Sequence, residues 1–155
     1  MKRKLLALGT CLIAVAALAA KNTDFSGTWQ LNPEKSKSIG MMAQMEMIQT
    51  IEQTDTALDV TSHTKFQGRG DDSKTHFDLT GRPVTNERPM QGTSQTVSKW
   101  KGTRLVTTWT SESAVAGGAK VVRTETLSLS PDCKTMTLES VRGSNSPVVM
   151  VFDRK

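Results

Sequence analysis

Arg123 and Glu125 stand two residues apart in the run KVVRTETLSLS, 120–130, where strand alternation puts them on one face with Val121, Leu127 and Leu129. An opposite-charge pair on the inward phase of a strand can orient the polar group of a bound molecule. At a wet rim the same two residues would only pair with each other, and alternation leaves both placements open. The other chemistry-bearing residues are sparse. His63 and His76 fall on the strand faces opposite Val60, Phe66, Phe77 and Leu79, so both should face solvent. Two histidines without a third or a nearby cysteine make a poor metal site. No local nucleophile motif supports a Ser-His-Asp triad. Met42, Met45 and Met47, in MMAQMEM, offer thioethers that suit Cu(I), but methionine is equally the adaptable filler of a core or an apolar flap. Neither cofactor nor metal is expected. Cys133, with Lys134 as its only nearby cation, reads as an exposed turn residue or a reactive thiol.

The first twenty residues stand apart from these. Lys2, Arg3 and Lys4 precede the apolar run Leu5–Leu18, and Ala17-Leu18-Ala19 has the small residues of a signal-peptidase site. We therefore expect a cleaved secretory leader over 1–20, a single domain over 21–155, and a secreted, periplasmic product. The leader carries three of the 20 basic residues and none of the 15 acidic ones, so most of the +5 net charge would leave with it. Nucleic-acid binding is not expected on that balance. Cys11 would leave as well, so a mature chain with Cys133 alone can form no internal disulfide and must rely on a packed core. No second long apolar run follows, so no membrane span is expected after cleavage.

Alternating segments rich in Thr, Val, Leu and Ile fill the rest: Gly27–Leu31, Met45–Gln53, Ala57–Phe66, Thr75–Leu79, Thr93–Trp100, Arg104–Thr110, Lys120–Ser130, Thr135–Arg142 and Val148–Arg154. The connections between them are short, which restricts neighbours to antiparallel pairing. The expected fold is all-β, an antiparallel up-and-down β-barrel of roughly 8–10 strands whose closure removes raw edges. A short turn or helix near Lys37–Gln44 is the one exception.

The segment FSGTWQLNPEKS, 25–36, resembles the first strand of bacterial secreted lipocalin-like proteins of the calycin superfamily, a group of unassigned activity. The resemblance extends through IEQTDTALDVTS at 51–62, SKWKGTRLVTTW at 98–109, TETLSLSPDCKTMTLE at 124–139 and VFDRK at 151–155. It implies that Trp29 closes the base of a barrel and that Arg154, near the end of the last strand, lies across its ring. Gly27 would then permit close backbone approach. Lipocalins proper carry disulfides and further motifs that are absent here. Fatty-acid-binding proteins use an Arg-x-Tyr pair for a carboxylate, and this chain has no tyrosine, so that activity does not transfer. Relatives usually show Asp-Gly where this chain has Asp132-Cys133, which predicts a strained turn at Cys133.

Two functions from different classes follow. The first is a barrel that binds a small, mostly apolar molecule among Leu58, Val60, Phe77, Leu105, Trp109, Leu127, Met136 and Met150, with Arg123 and Glu125 as polar contacts. The alternative is a filled barrel acting through its outer surface as a protein-interaction module, in the manner of barrel-type protease inhibitors. An enzyme of the isomerase or cyclase kind is a weaker third reading, since no acid–base pair stands out.

Overall fold

Alternation dictates the walls. Along Ala57–Phe66, Leu58, Val60, Ser62, Thr64 and Phe66 turn inward, while Asp59, Thr61, His63 and Lys65 are exposed. The computed structural model describes residues 22–88, 92–112 and 118–155 and places ten strands among them. The leader expectation over 1–20 and Cys11 lie outside the described residues.

The strands are β1 Gly27–Leu31, β2 Glu46–Gln53, β3 Ala57–Phe66, β4 Arg69–Asp78, β5 Val84–Arg88, β6 Gly92–Lys101, β7 Arg104–Glu112, β8 Lys120–Leu129, β9 Thr135–Arg142 and β10 Val148–Arg154. All pair antiparallel in the order β4-β3-β2-β1-β10-β9-β8-β7-β6-β5. The meander is therefore joined through its two ends, β1 and β10, with Trp29 opposite Arg154. The fold is an all-β, nearly closed barrel. A five-residue 3-10 turn at Gly40–Gln44 is the only helical element among the described residues, in the stretch where a short turn or helix is expected.

Two segments differ from the sequence reading. β4 begins at Arg69, although Gly68–Asp71 reads as a loop, because Gln67 and Gly68 (φ 48° and 79°) make a two-residue hairpin by themselves. β5 was not expected as a strand at all. Its polar run VTNER lacks an apolar phase, and its inward residue is a buried asparagine.

β4 and β5 lie side by side without a backbone ladder, leaving a seam in the wall. The Asn86 side chain bridges it. Its Oδ1 accepts from the His76 N–H at 3.0 Å, and its Nδ2 donates to the His76 carbonyl at 2.8 Å. The same Nδ2 reaches Thr96 Oγ1 at 3.0 Å. One amide thus satisfies the backbone groups that a missing strand partner would have taken.

The apolar core fills one end. Phe25, Trp29, Met136 and Phe152 are fully buried there. The segment before β1 caps that end: Thr23 Oγ1 donates to the Thr103 carbonyl, the Phe25 N–H donates to Gln53 Oε1, and the Phe25 ring stacks on Trp100 at 6.0 Å. Arg154 lies 4.1 Å from the centre of the Trp29 ring and donates to the carbonyls of Cys133 and Ser26, each at 2.9 Å. The indole N–H of Trp29 donates to the Phe25 carbonyl at 2.9 Å. Gly27, at φ 134°, allows this approach, because a Cβ there would sit 2.4 Å from Arg154 Nη1.

Candidate functional site: an interior cavity with a half-buried ion pair

Above the packed end the inward side chains stop meeting, and a cavity of about 740 Å³ opens. Ile51, Leu58 and Leu105 form its floor, belonging both to the core and to the cavity lining. Val60, Phe77, Trp109, Leu127 and Met150 line the cavity as well, together with Leu138. Ser62, Thr75, Thr107 and Ser140 add hydroxyl-bearing side chains to it. Arg69, Asp71, Glu87 and Arg142 are exposed and mark the mouth. Met42, Met45 and Met47, projecting from the 3-10 turn and the start of β2, also line the cavity. Met41 points away and is 76% exposed.

Registers explain which side chains meet. β7 and β8 set Trp109 opposite Arg123, Thr107 opposite Glu125 and Leu105 opposite Leu127. On the other side, β9 places Arg142 opposite Arg123 and Ser140 opposite Glu125. The result is a compact polar group on an otherwise apolar wall. Trp109 Nε1 donates to Glu125 Oε2 at 2.7 Å, and Arg123 Nε lies 3.2 Å from Glu125 Oε1. The Arg123 guanidinium stands 4.8 Å from the centre of the Trp109 ring, whose edge-on neighbour is Phe77 at 5.7 Å. The side chains of Arg123 and Glu125 are 23% and 12% exposed, so the pair sits inside the wall and not at a wet rim. Arg123 Nε is buried and, among the described residues, makes a charge contact with Glu125 but no hydrogen bond. Such a group holds charge at a fixed point in a poorly solvated place, where it can orient a polar ligand atom.

Of the residues expected to line a binding cavity, Met136 alone lies elsewhere. It shares the inward phase of β9 with Leu138 and Ser140 but sits opposite Phe152 and Leu129, in the packed end below the floor. Alternation gives the face of a strand and not the height along it. The mouth charges and the buried polar set Asn86, Ser94, Thr96, Ser98 and Thr107 escaped the sequence reading. The signal for the latter was the run of small polar residues on one phase of β6, Ser94, Thr96 and Ser98, which is unusual for a strand facing a core.

The remaining candidates are placed apart from the cavity. His63 and His76 are exposed on the outer face, each against a carboxylate of the neighbouring strand, Asp72 and Asp59 respectively. Among the described residues no three His, Cys, Asp or Glu side chains converge on a metal position. Cys133 is exposed in the β8–β9 turn with φ 56°. Its strained conformation is the one the sequence anticipates. At the packed end, Asp153 is held below the usual carboxylate range, chiefly by the hydrogen bonds from Lys35 and Asn32.

No protein-family model matches the chain, and no curated protein sequence does. Solved structures do match. A fatty acid transporter, REP1-NXSQ, superposes with a TM-score of 0.64 at 14% identity, covering 85% of this chain and 96% of that one. Fatty-acid-binding protein 1 of Echinococcus granulosus gives a TM-score of 0.64 at 10% identity, over 84% of this chain and 96% of its own. A mutant of the fluorescent protein UnaG gives 0.63 at 17% identity, with 84% and 96% covered. At these identities the likeness shows the fold alone: an antiparallel β-barrel like those of these structures.

Proposed function

We propose that the chain is a binding barrel that encloses a small, mostly apolar molecule. The observation that carries this reading is the cavity of about 740 Å³, which a filled interaction module would not keep. Its size falls within the roughly 300–1,000 Å³ of small-molecule sites. Its composition agrees, with an apolar floor, an aromatic and aliphatic belt, and a few convergent polar groups. The names of two structural neighbours, a fatty acid transporter and a fatty-acid-binding protein, point to the same class of ligand. Arg123, Glu125, Leu58, Val60, Phe77, Leu105, Trp109, Leu127 and Met150 are the proposed contacts.

The leader-like segment over 1–20 supports export of this carrier, and amino-terminal sequencing of the protein from its host should then begin at Ala20 or Lys21. Native mass spectrometry of the same material tests the binding function. A bound small molecule, released on denaturation and absent after delipidation, is the expected result. Bare protein mass in repeated preparations, with no apolar molecule taken up afterwards, would overturn the reading.

A further inference from the structure

We propose that the ligand carries an uncharged, hydrogen-bonding head, such as a hydroxyl or an amide, and that Glu125 enforces this choice by neutralising Arg123. The proposal rests on the carrier reading above and adds the chemistry of the head.

Charge accounting along the cavity carries it. Among the described residues its ionic side chains are Arg69, Arg123 and Arg142 against Asp71, Glu87 and Glu125, an even balance. Four of the six are exposed at the mouth, where water screens them. Inside the wall only Arg123 and Glu125 remain, and they already match each other at 3.2 Å. The site therefore presents no surplus positive charge at depth.

Geometry holds this neutral state in place. Glu125 cannot easily swing away, because its second oxygen accepts the Trp109 indole N–H at 2.7 Å. Arg123 in turn is held against the Trp109 ring. A carboxylate brought to Arg123 would stand beside the Glu125 carboxylate, two anions competing for the inner guanidinium, since Arg142 opposite it is exposed at the mouth. An uncharged head avoids that conflict. Its oxygen accepts from the guanidinium, and its O–H or N–H donates to Glu125. Thr107 and Ser140, the two cross-strand partners of Glu125, surround the position with uncharged polar side chains.

The test compares dodecanol with dodecanoate, ligands of one chain length that differ in the head. Each displaces the uncharged dye Nile red from the purified protein at mildly alkaline pH, where free dodecanoate is ionised. The wild type should bind dodecanol about tenfold more tightly or better. In Glu125→Gln, which keeps the shape and removes the anion, dodecanoate should gain about tenfold and the preference should shrink or reverse. If that variant does not fold, Arg123→Gln serves instead: it leaves the Glu125 carboxylate unneutralised, so it should weaken dodecanoate by a larger factor than dodecanol and widen the preference. A wild type that prefers dodecanoate, or variants that leave the preference unmoved, would overturn the head assignment while the carrier reading stands. Failure of the dye and both ligands to bind would overturn the carrier reading and this assignment together.

Discussion

Among its described residues the barrel contains two arginine–tryptophan pairs, one in the packed end and one on the cavity wall, and their partners differ. At the packed end, Arg154 covers Trp29 and spends its donors on the carbonyls of Cys133 and Ser26, while the indole N–H goes to the Phe25 carbonyl. All of these acceptors are backbone. In the cavity, Arg123 covers Trp109, but both side chains answer to a carboxylate, Glu125. Backbone acceptors fix a pair to the fold. A side-chain carboxylate fixes it to a charge balance inside the cavity. The same chemical motif is thus tied to the backbone at one end and to a cavity carboxylate at the other.

Removing the two tryptophans should split them most widely. Trp29→Ala is expected to cost about 3–5 kcal/mol of unfolding free energy in a denaturant titration, the range for a large aromatic deleted from a tight core. Trp109→Ala should cost about 2 kcal/mol, because one side of the ring already borders open space and loses fewer contacts. Comparable losses at both positions would erase the distinction.

The arginines give a smaller effect of the same kind. Arg154→Met should lower stability by about 1–2 kcal/mol, through the lost cation–π contact and two hydrogen bonds. The paired replacement Arg123→Met with Glu125→Leu should leave stability unchanged or raise it by about 1 kcal/mol, since an ion pair largely withdrawn from water costs desolvation that apolar residues do not. Thermal melts of both variants check this. A stability loss in the paired replacement larger than that of Arg154→Met would make the cavity pair a fastener too.

Acid sharpens the contrast from another direction. Asp153 sits beside the packed end with its carboxyl below the ordinary range, through Lys35 and then Asn32. Because the folded value is the lower one, its contribution is present above the unfolded carboxylate range and is lost as pH falls through the folded value. Asp153→Asn should therefore lower the melting temperature at neutral pH and flatten the fall on acidification. A melting curve equally steep in acid for both proteins would count against it. The smallest expected effect is a gain: Cys133→Gly, at φ 56°, should add about 0.5–1 kcal/mol by removing strain in the turn that feeds Arg154 its acceptor.

The strand limits of β1, β3, β9 and β10 are legible residue for residue, because alternation and short turns act locally. β5 is not, since Val84–Arg88 has no apolar phase and gains its place from pairing with β6 and from Asn86 bridging to β4. The inward phase of β8 also shows in the sequence, which brings Arg123 and Glu125 to one face. Their partners do not. Trp109 and Ser140 meet them through strand registers set by the whole barrel, a long-range property with no local signature. Met136 shows the same limit, with the correct phase at the wrong height.

The seam between β4 and β5 gives the barrel the mechanics of a split ring. Elsewhere, widening the wall means parting a ladder of backbone bonds. At the split it means stretching the two contacts of one amide, Asn86 to the N–H and carbonyl of His76. Ser73, Thr75, Phe77 and Glu87 line the cavity on either side of that split. Among the described residues, that stretch of cavity wall is thus tied across the split by a side chain outside the ion pair.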